Sequence, residues 1–398
     1  MDIYIKIFIM MCAGLTMSEQ QGIKEMARKT VPQLIASAGY PVEKHRVTTE
    51  DGYILQLHRI PAGRRIARRI GPSSKKKKAV LVVSGLLGSS GDFVIMGPER
   101  SLAYLLADEG YDVWLGNLRG DIYTSHTNYT RNNPKFWEYS FHEHGIYDLP
   151  ASIDKVLEVT GLPKIMYIGF SMGTTSFFIT LSEKPEYNDK VLAYMALAPA
   201  VYMRNVKNTA ETLLLNWKLP DRMRERGLLS ATIPRDLLEM FVTNMCYVKK
   251  PQMDMCTSFI YSVIGEDHEQ YDGDMMAIII MRLQPASWRQ LEHFGKIALT
   301  DTFTSWEGGL KGAVKPYKLS NVKIPVSLFY GHNDRLTQKS QIMRLAGELN
   351  ATGVLEDFLP ACDWPKFNHL DFVFAKDVGT LLNEKLVDYI GKMFSKYG

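Results

Sequence analysis

The most constraining stretch of the chain is a short apolar run, Ile165-Met166-Tyr167-Ile168, that leads into Gly169-Phe170-Ser171-Met172-Gly173 and then into a helix-compatible segment, Thr174 to Leu181. A strand that turns straight into a helix leaves no room for side chains on either side of the turn. Glycines at positions 169 and 173 supply that room, and the serine between them is pushed clear of the sheet as an exposed nucleophile. The pattern G-x-S-x-G arises often by chance, so its strand–turn–helix setting carries the weight. A serine hydroxyl at its ordinary pKa is a poor nucleophile and needs a base, itself oriented by a carboxylate.

The surrounding pattern supplies the sheet. Ala79 to Val83 reads as a buried strand followed by a Gly- and Ser-rich loop, Ser84 to Gly91. Leu102 to Asp108 reads as a helix ended near Gly110, and Tyr111 to Leu115 as the next strand. Leu149, Ile153, Val156 and Leu157 share one helical face, with Pro150 at its start and Gly161 just past its end. Strands and helices that alternate in this way predict an α/β fold with a mostly parallel sheet. After Pro199 the rhythm is lost, and 203–317 reads as a Met-rich helical insertion, a cap. It resumes with the strand Val326 to Tyr330, a helix over Gln341 to Leu349 and a last helix near Leu381 to Lys396. The predicted organisation is therefore a leader at 1–18, a core at 19–202 and 318–398, and the cap between the two core parts.

In a sheet of this kind the acid and then the base follow the nucleophile along the chain. Four histidines lie beyond Ser171: His268, His293, His332 and His369. The first two fall in the cap. Asp334 lies just past the strand Val326 to Tyr330, where an acid is expected, so His332 comes too early to be the base. His369 is left. Asp371 is the runner-up acid, too near His369 and on its wrong side. Two backbone N–H groups must also face the oxyanion of an ester under attack, and loss of one such donor costs about 3 to 4 kcal/mol. Met172, next to the nucleophile, is expected to give one; Leu86, with Leu87 as second choice, is expected to give the other.

Charge narrows the function class. The formal net charge is +4, but Gly63 to Lys78 holds eight positive residues and no acid, and without them the chain stands at −4. That cluster reads as a solvated loop. A nucleic-acid face, which needs a basic surface, is not predicted. Met1 to Ser18 carries Lys6 and a short apolar run of signal-peptide length, and no later run approaches the roughly 20 residues needed to span a bilayer. Cys246 and Cys256 are close enough in sequence to close a small loop as a disulfide, which leaves Cys362 unpaired once Cys12 departs with the leader. Acceptor sequons at Asn128 and Asn350 fit the same secretory route. No Cys/His spacing suits zinc, so no metal is expected.

Several segments together resemble the acid lipase family, which includes gastric and lysosomal lipases and insect lipase-3-like proteins. They are Ser84-Gly85-Leu86-Leu87-Gly88-Ser89-Ser90, Asp112 to Gly120, Phe141-His142-Glu143, Tyr147-Asp148-Leu149-Pro150-Ala151 and Ala196-Leu197-Ala198-Pro199. The region from Thr30 to Pro61 is similar as well. The resemblance implies an α/β-hydrolase fold with a helical cap and lid over a hydrophobic cleft, no cofactor, and hydrolysis of triacylglycerols or sterol esters at an emulsion or membrane interface. It implies Ser171, Asp334 and His369 as the triad, a disulfide at the positions of Cys246 and Cys256, and a secreted or lysosomal location. The chain departs from the family at Ser84, where histidine is usual, and at Phe170 and Met172, where His and Gln are usual. A soluble carboxylesterase and a lipid-binding or storage protein on the same fold are the competing readings.

Overall fold

The protein is described by a computed structural model covering residues 21–64, 77–231, 235–242, 258 and 260–398. The leader, most of the basic cluster and both Cys246 and Cys256 lie outside these residues. Nine strands form one sheet among the described residues, with β1 (Glu43–Thr48), β2 (Tyr53–Ile60), β3 (Ala79–Val83), β4 (Asp112–Gly116), β5 (Ser125–His126), β6 (Ile165–Phe170), β7 (Val191–Leu197), β8 (Val326–Tyr330) and β9 (Leu355–Pro360). Their spatial order is β1-β2-β4-β3-β6-β7-β8-β9, with β5 set beside β2. The pairs β1–β2, β2–β4 and β2–β5 are antiparallel, and every neighbour from β4 to β9 is parallel.

The parallel strands are covered on both faces, so their sequences read as unbroken apolar runs; β3, Ala-Val-Leu-Val-Val, is buried throughout. Successive side chains alternate between two cores. Val80 and Val82 join Val113, Leu115, Met166 and Ile168 on one face, while Leu81 and Val83 join Trp114, Ile165 and Tyr167 on the other. Each fully buried aliphatic side chain contributes roughly 1.5–3 kcal/mol. The helix Leu149–Thr160 ends as expected, with Gly161 at φ +63° and its N–H donating to the Leu157 carbonyl at 2.8 Å.

Between β7 and β8 the described residues form helices, among them Leu219–Glu225, Gly273–Met281 and Trp288–Thr300, and isolated bridges but no ladder. The chain runs from β3 out to β4 and then crosses back to β6 on the other side of β3. Ligand sites in open α/β sheets lie at the carboxyl ends of the strands beside such a reversal. Ser171 follows β6 and the loop Ser84–Gly88 follows β3, so the reversal falls between the two segments that sequence reasoning singled out.

Arg119 ties the antiparallel edge to the parallel body. Its backbone N and guanidinium donate to the Asp148 carboxylate at 2.7–2.9 Å, and the guanidinium also reaches Asp51, in the β1–β2 turn, at 2.6 and 2.9 Å. Tyr53 lies across its face at 4.0 Å. Both Arg119 and Asp148 are buried. Removal of one partner of such a pair strands a charge in the interior, so Arg119→Ala is expected to cost roughly 3–5 kcal/mol. Urea unfolding of the variant against wild type measures it; a loss under about 1 kcal/mol, the range of surface pairs, would contradict this account.

Candidate active site

Ser171 sits at φ +52°, ψ −119°, in a region that a residue with a side chain rarely enters. Such strain costs on the order of 1–3 kcal/mol and persists only where the surroundings impose it. They do so here through close backbone approach. A Cβ on Gly173 would lie 2.5 Å from the Val83 carbonyl oxygen, and one on Gly169 would lie 2.9 Å from the Gly173 carbonyl carbon and the Thr174 nitrogen. The Ser171 N–H is tied to the Leu197 carbonyl at 2.9 Å. The β3 loop comes as near: a Cβ on Gly85 would fall 2.8 Å from Ser171 Cβ.

The three residues selected by chain order meet. Ser171 Oγ is 2.9 Å from His369 Nε2, and His369 Nδ1 is 2.8 Å from Asp334 Oδ2. With its proton on Nδ1, the imidazole donates to Asp334 and leaves Nε2 to accept from the serine hydroxyl. Asp334 is buried and held from several sides. Leu336 N and Thr337 N donate to Oδ1, both at 2.8 Å, and the Thr337 hydroxyl donates to Oδ2 at 2.6 Å. Asp334 is thus no cap for the helix Lys339–Ala351, whose N-cap position is Gln338. Thr337 was not legible as part of the site beforehand, although a threonine three residues past an aspartate is a common turn partner.

Asp371, the runner-up acid, accepts from Asn368 N at 2.6 Å, while the partner of His369 Nδ1 is Asp334. His293 is a structural residue, with Nε2 against the Thr304 carbonyl at 2.7 Å, and burial pushes its pKa down to about 3. Cys362 is a free buried thiol whose pKa is raised by burial, which makes it a poor nucleophile. Among the described residues, no group of three or more His, Cys, Asp or Glu gathers in a way that could hold a metal ion.

Met172 opens the helix Met172–Glu183, so its N–H has no preceding helical carbonyl to bond. Leu86 lies in a turn closed by Gly88 N donating to Gly85 O at 3.2 Å, and Leu87 stands at φ +61° with its carbonyl bonded to Gln284 N at 2.8 Å. Each unusual side chain has a defined place. Phe170 packs beside the His369 ring, centroids 5.1 Å apart. Met172 Sδ accepts from Gln290 Nε2 at 3.2 Å. Ser84 donates a short hydrogen bond to Asp92, a half-buried residue whose carboxyl pKa desolvation pushes up to about 6. Asp92 also closes a capping box with Ser89, a pairing visible in the sequence as Ser89-Ser90-Gly91-Asp92.

Ser171 and His369 open into a cavity of about 470 Å³. Its lining is largely apolar and comes mostly from 203–295, including Leu213, Leu219, Val263, Ile279, Leu291 and Phe294. A serine hydroxyl bonded to an imidazole at the mouth of such a cleft suits an ester whose acyl part is hydrocarbon.

Two family models match the chain: a partial α/β-hydrolase lipase region over residues 31–97 and the α/β-hydrolase fold over residues 78–368. Lipase 1 of Drosophila melanogaster is 35% identical over 390 residues, spanning 94% of this chain and 82% of that protein. Lipase 3 of the same organism is 36% identical over 96% of both chains, and the gastric triacylglycerol lipase of Bos taurus is 32% identical over 92% of both. With these matches covering nearly all of a chain whose sheet, turn and cleft have the form described above, the protein belongs to the lipases of the α/β-hydrolase fold and is a carboxylic ester hydrolase acting on lipid esters.

Proposed function

We propose that Ser171, His369 and Asp334 carry the hydrolysis, on triacylglycerols or sterol esters presented at an emulsion or membrane surface. The Ser171–His369–Asp334 chain of contacts at 2.9 and 2.8 Å is the observation that carries this reading. As Ser171 Oγ bonds to the acyl carbonyl carbon, its proton passes to His369 Nε2, and Asp334 stabilises the imidazolium. The N–H groups of Met172 and Leu86 receive the oxyanion. His369 then returns the proton to the departing alcohol, leaving an acyl-serine. Water, deprotonated by the same imidazole, releases the fatty acid and restores Ser171. The lipid-carrier alternative would be favoured by a broken triad, and the geometry here argues against it. The apolar cleft favours long acyl chains over the short soluble esters of a carboxylesterase.

The segment 203–317 supplies most of the cleft wall, which supports its reading as a cap inserted into a core of 19–202 and 318–398. A leader at 1–18, a Cys246–Cys256 disulfide in the cap, glycosylation at Asn128 and Asn350, and a secreted or lysosomal destination form one consistent proposal. Asn128 and Asn350 are both exposed, as a glycan requires. No helix among the described residues is long and apolar enough to cross a membrane.

The test is release of fatty acid from an emulsified long-chain triacylglycerol and from a cholesteryl ester between pH 4 and 8, beside Ser171→Ala. Wild type is expected to hydrolyse at least one of them, and Ser171→Ala to lose on the order of 10⁵–10⁶-fold in kcat. Comparable rates in the two proteins would end the proposal. Asp334→Asn, which keeps the shape but favours the wrong imidazole tautomer, is expected to lower kcat roughly 10⁴-fold. A loss below tenfold would remove Asp334 from the triad.

A further inference from the structure

Two separate backbone segments are assigned to the oxyanion, and one short stretch, 284–290, bonds to both. Toward the β3 loop, Gln284 N donates to the carbonyl of Leu87, the neighbour of Leu86, at 2.8 Å. Toward the turn after β6, Gln290 Nε2 donates to Met172 Sδ at 3.2 Å. Gly85, Leu87, Met172, Pro285 and Gln290 all line one small cavity of about 20 Å³, so the three segments converge there. Leu87, at φ +61°, holds a backbone conformation rare for a residue with a side chain, and the bond from Gln284 N fixes the peptide that follows it.

The stretch is itself anchored. Gln284 Oε1 accepts from Ile122 N at 3.3 Å, and its Nε2 donates to the Arg282 carbonyl at 2.6 Å. Ala231 N donates to the Ala286 carbonyl at 2.8 Å, and Ser287 Oγ donates to the Trp137 carbonyl at 2.6 Å. Gln284, Ser287 and Gln290 are all buried. The Gln290 amide has one orientation that satisfies its neighbours: Oε1 accepts from Ser287 N at 2.7 Å, in a capping box that opens the helix Trp288–Thr300, and this turns Nε2 toward the sulfur. A reversed amide would set two donors, Nε2 and the Ser287 N–H, against each other. Methionine is a flexible side chain with a weak acceptor, and this contact gives it a fixed partner at the residue whose N–H is assigned to the oxyanion.

We propose that Gln290 is a positioning residue for the oxyanion hole, acting through Met172 while Gln284 holds the facing loop. The inference rests on the reading of Ser171 as nucleophile and of Met172 and Leu86 as oxyanion donors. Gln290 touches no reacting atom. Its effect comes from where it fixes the Met172 peptide: a donor must lie about 2.7–3.1 Å from the place that the developing oxyanion takes, and misplacement by about 1 Å costs on the order of 100-fold in rate. The carbonyl oxygen of the bound ester carries less charge than the oxyanion, so a displaced donor is felt in kcat more than in KM. The two ends of one amide thus do separate work. Oε1 caps the helix, and Nε2 holds the turn that carries Ser171.

The experiment is kcat and KM on a soluble p-nitrophenyl ester, counted per active site titrated with a p-nitrophenyl phosphonate, for the full chain and its Gln290→Glu and Met172→Leu variants. Inhibition by an alkyl boronic acid, whose adduct with serine is tetrahedral and anionic, is measured beside it. Glutamate keeps the acceptor for Ser287 N, so the helix cap survives, but it removes the donor to Met172. Leucine removes the sulfur at similar volume and introduces no charge. Both variants are expected to lower kcat at least about tenfold with KM changed less than about threefold, and to weaken boronic acid binding in step with kcat. Wild-type kcat and inhibition in either variant would overturn the proposal, because a loss in Gln290→Glu alone belongs to the buried charge and a loss in Met172→Leu alone does not involve Gln290. A loss confined to KM or to the titratable fraction would overturn it as well. Should Gln290→Glu fail to fold, Gln290→Met, neutral and of similar length, takes its place with the same expected loss. Ser171→Ala separates the two levels: a fully active Ser171→Ala protein defeats the nucleophile assignment, whereas variants that match wild type beside an inactive Ser171→Ala defeat only the positioning role.

Discussion

The site depends on how closely three stretches of bare backbone approach at the ends of β3 and β6. Gly85, Gly169 and Gly173 each sit where a Cβ would meet main chain or Ser171 Cβ at 2.5–2.9 Å. Ser171 can be held at positive φ only because its neighbours on both sides yield that space. One geometric condition therefore does two things. It lifts Ser171 off the sheet, and it brings the loop carrying Leu86 against the same side chain. The register of β3 on β6, Val83 opposite Gly169, delivers both at once. The proposed acid and base then need only arrive at the same edge, which the order β6-β7-β8-β9 ensures by placing Asp334 after β8 and His369 after β9.

The segment between β7 and β8, proposed above as a cap, is part of this architecture rather than an appendage to it. The helix Trp288–Thr300 reaches the elbow through Gln290 and Met172, and the residues ahead of Gly273–Met281 reach the loops that carry Asp334 and His369. The same segments wall the apolar cleft. The wall of the cleft and the loops that carry Asp334 and His369 therefore share the same hydrogen-bonded supports.

Much of this was legible from residue order. The strand Val326–Tyr330 has the predicted limits, the helix after Leu149 ends where Gly161 demands, and elimination among four histidines leads to the one that bonds Ser171. Local signals of that kind survive because turns and caps are decided within a few residues. The strand Leu355–Pro360 has no such signature: it is half-buried along its whole length and carries Glu356 and Asp357 in its middle, so neither alternation nor an apolar run marks it. The supports of the triad were hidden for a different reason. Thr337 is near Asp334 in sequence, but Gly265, whose carbonyl accepts from Asn368 Nδ2, lies more than a hundred residues from it, and nothing in either neighbourhood announces the contact. The three departures from the family pattern each have a local partner: the His369 ring for Phe170, Gln290 for Met172, and Asp92 for Ser84.

The interior also carries an electrostatic bias that the formal charge conceals. Burial raises the carboxyls of Asp92 to about 6 and of Asp121 and Asp371 to about 8. Each stabilises the fold fully below about pH 4 and loses its contribution as pH rises through those values. Burial acts the other way on imidazoles, lowering His58 to about 4 and His293 to about 3 and pulling His144 well down. These three are neutral in the fold, and their contribution is lost as pH falls from the ordinary histidine value of 6.5 toward the lowered ones. Between about pH 4 and 6.5 the two sets oppose each other. Above 6.5 the histidines no longer titrate and the carboxyls act without that counterweight, so this interior favours mildly acidic over alkaline conditions.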